Sequence, residues 1–118
     1  MEKTEEILEV IISELDYYII NKVRDLRESG EISQVRLSIL MELAEGTVGK
    51  IENPKERSKY NIRHLNLLAK ALKCSPKDLL PEKALRNDMI KITYKINKHK
   101  KDKEKSYFEV ISIKPIEQ

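Results

Sequence analysis

The sequence predicts a mainly α fold of about five helices, two of them short and joined by a tight turn, with an N-terminal helical extension and a C-terminal β-hairpin. Three observations carry that expectation. Apolar residues recur at steps of three and four from Ile7 to Leu72, the spacing of a helix face. Proline, glycine and capping residues cut the periodic stretch into short segments. After Pro81 the period drops to two.

Residues 1–16 read as a helical extension that continues toward Ser29, with Ile7, Leu8, Ile11, Ile12, Leu15, Ile19, Val23 and Leu26 as the apolar stripe. Thr4 is placed to cap its start and Gly30 to end it. One long helix and two helices joined near Asp16 both fit. Ser33 then caps a short helix over Gln34–Met41. A break at Glu42–Leu43 precedes a second short helix from about Glu45 to Asn53. Pro54 stops it, because the residue before proline is pushed out of the α region. Residues 55–60 are a polar, basic loop. Asn61 caps a helix expected to bury Ile62, Leu65, Leu68, Ala69 and Leu72. Ser75-Pro76 starts a last turn through Leu80. Residues 17–81 thus read as one domain. Residues 82–118 read as a hairpin tail: Ile90, Ile92, Tyr94 and Ile96 alternate with polar residues, a charge run fills 98–105, and Tyr107–Ile113 is again β-rich. A lone hairpin is marginal in water, so its apolar face and open edges invite a partner, and the tail is a candidate dimerisation element. A helical seam of Ile7, Leu8, Ile11 and Ile12 is the competing dimer surface.

Composition narrows the class. A chain of 118 residues with 40% hydrophobic and 36% charged residues can bury one core and is too apolar to be disordered throughout. Its net charge of +3 is unevenly spread. Residues 1–29 hold four Lys/Arg against eight Asp/Glu, residues 30–81 nine against six, and residues 82–118 ten against six. An acidic front and a basic middle and end suit a molecule that turns one side to a polyanion. Cys74 is the only cysteine, so no internal disulfide forms. The apolar run near Val10 is too short to cross a bilayer, and the acidic N-terminus lacks the basic region of a signal peptide. A reducing cytoplasm is expected, with no membrane association.

The two short helices carry the functional argument. A helix of that size fits the major groove of duplex DNA while its partner holds it at an angle. Ser38 is small where the helices cross, and Leu37, Met41, Leu43, Val48 and Ile51 form the inner face. Glu45, Gly46, Thr47, Gly49 and Lys50 are left on the outside.

The stretch Ser33-Gln34-x-x-Leu37, followed by Thr47-Val48-x-Lys50-Ile51-Glu52-Asn53, resembles the helix-turn-helix of the Cro and lambda-repressor-like (xenobiotic-response-element-type) family of transcriptional regulators. Residues Leu65–Leu80 are similar to that family's last two helices, and the likeness spans roughly residues 17–81. The resemblance implies a lambda-repressor-like bundle and a role for each matching position. Glu45, Gly46, Thr47 and Lys50 would read bases. Gln34, Asn53, Lys55, Arg57 and Lys59 would hold phosphates. Arg27 and Glu52 would form a structural ion pair. Four features depart from the family's pattern: Ala44 stands where a capping Ser or Thr is usual, Glu42 where a turn glycine is usual, Asn53-Pro54 replaces a glycine-containing turn, and Gly46 and Gly49 weaken the recognition helix.

Little supports other chemistry. Cys74 reads as a core thiol. His64 and His99 lack partners at metal-ligand spacing, and neither a phosphate-cradling glycine loop nor a nucleophile–base set occurs. No cofactor, no metal and no catalytic residue is expected, and the chain is not expected to be an enzyme. The expected function is that of a sequence-specific, repressor-like regulator that binds a palindromic operator in double-stranded DNA as a homodimer. The alternative is a protein-interaction module, such as the antitoxin half of a toxin–antitoxin complex, docking through the N-terminal helix or the hairpin.

Overall fold

The computed structural model describes residues 6–97 and 107–116; the charge run at 98–105 lies outside them. In chain order the elements are β1 (Glu6–Ser13), α1 (Glu14–Ser29), α2 (Gln34–Leu40), α3 (Thr47–Glu52), α4 (Ile62–Leu72), a 3-10 turn (Pro76–Leu79), β2 (Met89–Asn97) and β3 (Tyr107–Pro115). Residues Leu15–Arg86 form one compact unit, and the described residues before and after them form a second.

This corrects the expected fold class. The described residues hold four α-helices and a three-stranded antiparallel sheet, and the N-terminal extension is a strand. The segment Glu6–Ser13 satisfies two periods at once: Ile7, Leu8, Ile11 and Ile12 fit a helix face, while Leu8, Val10 and Ile12 fit one side of a strand. Its many β-branched residues favour the strand. The deciding force is non-local. An isolated hairpin leaves backbone groups of its inner strand unpaired, and β1 satisfies them in a continuous antiparallel register from Glu6↔Ile96 to Ser13↔Met89.

In the sheet unit the strand order is β1-β2-β3, so β2 is central. One face carries the rows Ile12–Ile90–Pro115, Val10–Ile92–Ile113, Leu8–Tyr94–Val110 and Glu6–Ile96–Phe108. On this face Ile12, Ile90, Ile92, Tyr94 and Ile96 are buried. Tyr94 and Phe108 meet edge-to-face with ring centroids 5.9 Å apart. The register shifts between Thr93 and Tyr94, which leaves Ile111 as an extra, exposed residue in β3. On the same face the β3 residues Val110 and Ile113 are exposed. A helical seam through Ile7, Leu8, Ile11 and Ile12 does not exist. The carboxylate of Glu14 accepts hydrogen bonds from the backbone N and the Nδ2 of Asn87, at 3.1 and 3.0 Å, and Glu14 N donates to Asp88 O at 2.8 Å.

In the helical unit the core comprises Ile19, Ile20, Val23, Leu37, Met41, Val48, Ile51, Leu68, Ala69 and Leu79. Local signals set the helix starts. Ser33 Oγ accepts from Arg36 N at 3.0 Å. Asn61 Oδ1 accepts from His64 N at 2.9 Å while His64 Nδ1 accepts from Asn61 N at 3.1 Å, a reciprocal cap. Ser75 N donates to Asp78 Oδ2 at 2.9 Å. Ile62 is a correction: it shares the apolar spacing of α4 but is 87% exposed, because it stands at the first residue of the helix, ahead of the turns that bury Leu68 and Ala69.

Three helices end alike. After α1, α2 and α4 a left-handed residue reverses the chain, and the next N–H reaches back five residues: Ile32 to Arg27 O, Leu43 to Ser38 O and Cys74 to Ala69 O, each at 2.9 Å. The left-handed residues are Glu31, Glu42 and Lys73, with φ of 56, 60 and 57°. Gly30 does not take that conformation, so the reversal falls on the residue after it, Glu31. A side chain at such a position costs energy that glycine avoids.

Candidate nucleic-acid interface

Helix α3 has only six residues, so it spans roughly 9 Å and cannot hold its own shape in water. Its buried side, Val48, Ile51 and Glu52, packs inward. Its opposite side leaves Lys50 exposed and Thr47 and Gly49 half-buried, and Glu45 and Gly46, in the turn just before the helix, are exposed. Polar contacts fix the helix at both ends.

At the C-terminal end, Arg27 of α1 grips Glu52 with two parallel bonds. Nε donates to Oε2 at 2.9 Å and Nη2 to Oε1 at 2.7 Å, while Nη1 donates to Ile32 O at 2.9 Å. Both residues are buried, and the two-pronged geometry is what allows a charge pair to persist away from water. The hydrogen bond to Glu52 raises the Arg27 pKa against the opposing cost of burial. Gln34, the first residue of α2, adds Nε2 to Glu52 Oε1 at 3.0 Å. Gly49 lies at the same crossing: a Cβ there would stand 3.3 Å from Gln34 Oε1, so the Gln34 side chain would have to shift by a few tenths of an ångström.

At the N-terminal end, Ala44 offers no capping side chain, and Gly46 has open space around it. The cap comes from α2 instead. Ser38 is fully buried; its hydroxyl donates to Gln34 O at 3.0 Å and accepts from Val48 N at 3.0 Å. Sequence reasoning assigned Ser38 only a small size. Its alternative signal, a hydroxyl in the helix that crosses a capless helix start, needed the three-dimensional crossing to become visible.

Beyond α3, Asn53 Oδ1 accepts from Lys55 N at 2.9 Å and turns the chain into the basic loop. Lys55, Arg57 and Lys59 are exposed there, with Lys59 Nζ donating to Arg57 O at 3.2 Å. The structure therefore brings Gln34, Arg27 and Glu52 into one network, places Lys50 on the open side of α3 and Glu45 in the exposed turn before it, and sets the basic loop after it. Tyr60 escaped sequence reasoning. Its ring is buried and meets His64 edge-to-face at 6.1 Å, and its hydroxyl has no hydrogen-bond partner among the described residues. Burial raises its pKa, with a smaller push from Glu52. Cys74 is half-buried, and burial raises its pKa as well. Among the described residues no group of acidic, His and Cys side chains is placed to hold a metal, and no helix is long and apolar enough to cross a membrane.

Residues 22–81, just over half of the chain, match the model of the Cro/C1-type helix-turn-helix DNA-binding domain. The chain belongs to that family. Two solved structures are similar to it. The restriction-modification controller protein C.AhdI from Aeromonas hydrophila aligns over 53% of this chain and 92% of its own, with 27% identity and a TM-score of 0.46. The hydroxypropylphosphonic acid epoxidase from S. wedmorenis aligns over 88% of this chain and 84% of its own, with 13% identity and a TM-score of 0.53, a likeness of fold alone. No curated protein matches the chain.

Proposed function

We propose that the protein is a sequence-specific, repressor-like transcriptional regulator of the cytoplasm that binds a palindromic operator in double-stranded DNA as a homodimer. The observation that carries this reading is a short helix held at both ends, with Lys50 on its open side, Glu45 in the turn before it and a basic loop after it. With α3 in the major groove, the Lys50 ammonium donates to guanine O6 and N7, and Glu45 accepts from cytosine N4. Gly46 lets the helix backbone approach, and Thr47 borders the same bases. Gln34, Asn53, Lys55, Arg57 and Lys59 position the domain on phosphates. An amide nitrogen has two hydrogens, so Gln34 keeps one for a phosphate while the other serves Glu52.

Charge supports a polyanionic partner: residues 30–118 sum to +7 (+3 and +4) against −4 for residues 1–29. A single module offers few base contacts. Two half-sites one helical turn apart multiply affinity without new chemistry, which is the reason to expect a dimer.

Selection of bound duplexes from a random pool, followed by a salt titration on the winner, tests the proposal. One palindromic sequence should be enriched, and log K should fall linearly with log salt. No enrichment, or an affinity indifferent to salt, contradicts it. Light scattering that shows a monomer on the selected duplex removes the dimer.

A further inference from the structure

We infer that Ser38 is a positioning residue for DNA reading: its buried hydroxyl sets the angle at which α3 presents Glu45, Thr47 and Lys50. The inference rests on the proposal that this helix reads bases. Three observations lead to it. The helix start has no cap of its own, because its N-cap is Gly46, which carries no side chain. Val48 N lies in the first turn, in a residue that is fully buried, so its hydrogen must find an acceptor inside the protein. That acceptor is Ser38 Oγ, and the Ser38 hydrogen is spent on Gln34 O, which fixes the direction of its lone pairs.

A cap at position 44 and a cap from Ser38 differ in what they fix. A side chain at 44 belongs to the approach to α3 and moves with it, so it stabilises the helix without tying it to anything. Ser38 belongs to α2 and ties the N-terminal turn of α3 to the same residue, Gln34, that holds the C-terminal end through Glu52. Both ends of the reading helix are thereby referred to the first turn of α2. With glycine at the N-cap of α3, the cap comes from α2, a place where it controls direction.

The test uses the full chain with Ser38→Ala alone and with Ser38→Ala plus Ala44→Ser. Amide hydrogen exchange at Val48, thermal melting, and affinity for the selected duplex and for a random duplex are measured on each. Ser38→Ala is expected to speed exchange at Val48 and to weaken selected-site binding about tenfold while leaving random-duplex binding nearly unchanged. Adding Ala44→Ser, whose hydroxyl reaches the N–H groups two and three residues on rather than Val48 N, should recover part of the melting temperature but not the preference for the selected site. Full recovery of preference in the double variant, or unaltered preference in Ser38→Ala, overturns the positioning role. A native chain that prefers no sequence overturns the proposed function itself; exchange at Val48 then still reports whether Ser38 holds the helix.

Discussion

The two units of the chain solve the problem of order in different ways. The sheet unit is held by apolar rows across three strands, and the backbone ladder sets its register. The candidate reading element of the helical unit is a six-residue helix that buries only Val48, Ile51 and Glu52. Polar contacts of Arg27, Gln34, Ser38 and Glu52 fix its direction. Apolar burial is strong but tolerant of small shifts; a two-pronged ion pair and a buried hydroxyl are directional. A surface that must match base edges needs direction more than bulk.

The largest expected effect is on the polar side. Glu52→Ala leaves the buried Arg27 guanidinium without its partner and should cost about 4 kcal/mol, measured by urea unfolding. A loss below about 1 kcal/mol would show that α3 is held by packing and would erase the contrast between the units. On the apolar side, Ile92→Ala removes a fully buried side chain from the middle of the central strand. A loss of about 3 kcal/mol is expected, with DNA preference intact. A changed preference would mean that the sheet also takes part in aiming the reader.

A smaller effect of opposite sign comes from the helix ends. Glu42→Gly relieves a left-handed residue and should stabilise by roughly 0.5–1 kcal/mol, after glycine's own entropy is counted. Destabilisation would show that the Glu42 side chain has a contact that outweighs the backbone. The smallest effect is a pH dependence. Burial, with Arg63 nearby, lowers the His64 pKa below the ordinary 6.5. The neutral ring accepts the Asn61 N–H, so the fold favours the unprotonated form. The unfolded chain therefore binds the proton first, and the stability due to the neutral ring is complete above pH 6.5 and declines as the pH falls through the lowered folded pKa. His64→Gln, which removes the titrating ring, should abolish that contribution in melts between about pH 5 and 7.

The same division explains what could be read in the sequence. Elements punctuated by local chemistry were legible: Ser33, Asn61 and Ser75-Pro76 begin their elements where their side chains or rings demand it, and Pro54 closes the region of α3. The apolar inner face at Leu37, Met41, Val48 and Ile51 followed from helical spacing. The strand β1 was not legible, because its residues fit two periods and only the free edge of β2, some eighty residues away, decides between them. Glu31 as the left-handed residue after α1 was hidden for a different reason: glycine at position 30 satisfies the same statistical signal, but the five-residue reach of Ile32 N to Arg27 O places the reversal one residue later. In the site, residue types named the exposed candidates, Glu45, Lys50 and the basic loop. The contact made by Ser38 depends on how α2 crosses α3, a relation that no one-dimensional spacing encodes.

The central claim is that the open side of α3 reads sequence, and Lys50→Ala tests it most directly. Lys50 is exposed and stands one turn after Gly46, on the side of α3 away from its buried residues Val48, Ile51 and Glu52. Site selection is run on native chain and variant side by side. Lys50→Ala is expected to lose about 1–3 kcal/mol on the preferred duplex, with the preference relaxed at a single base pair of each half-site. An identical set of selected sequences for both proteins would contradict it.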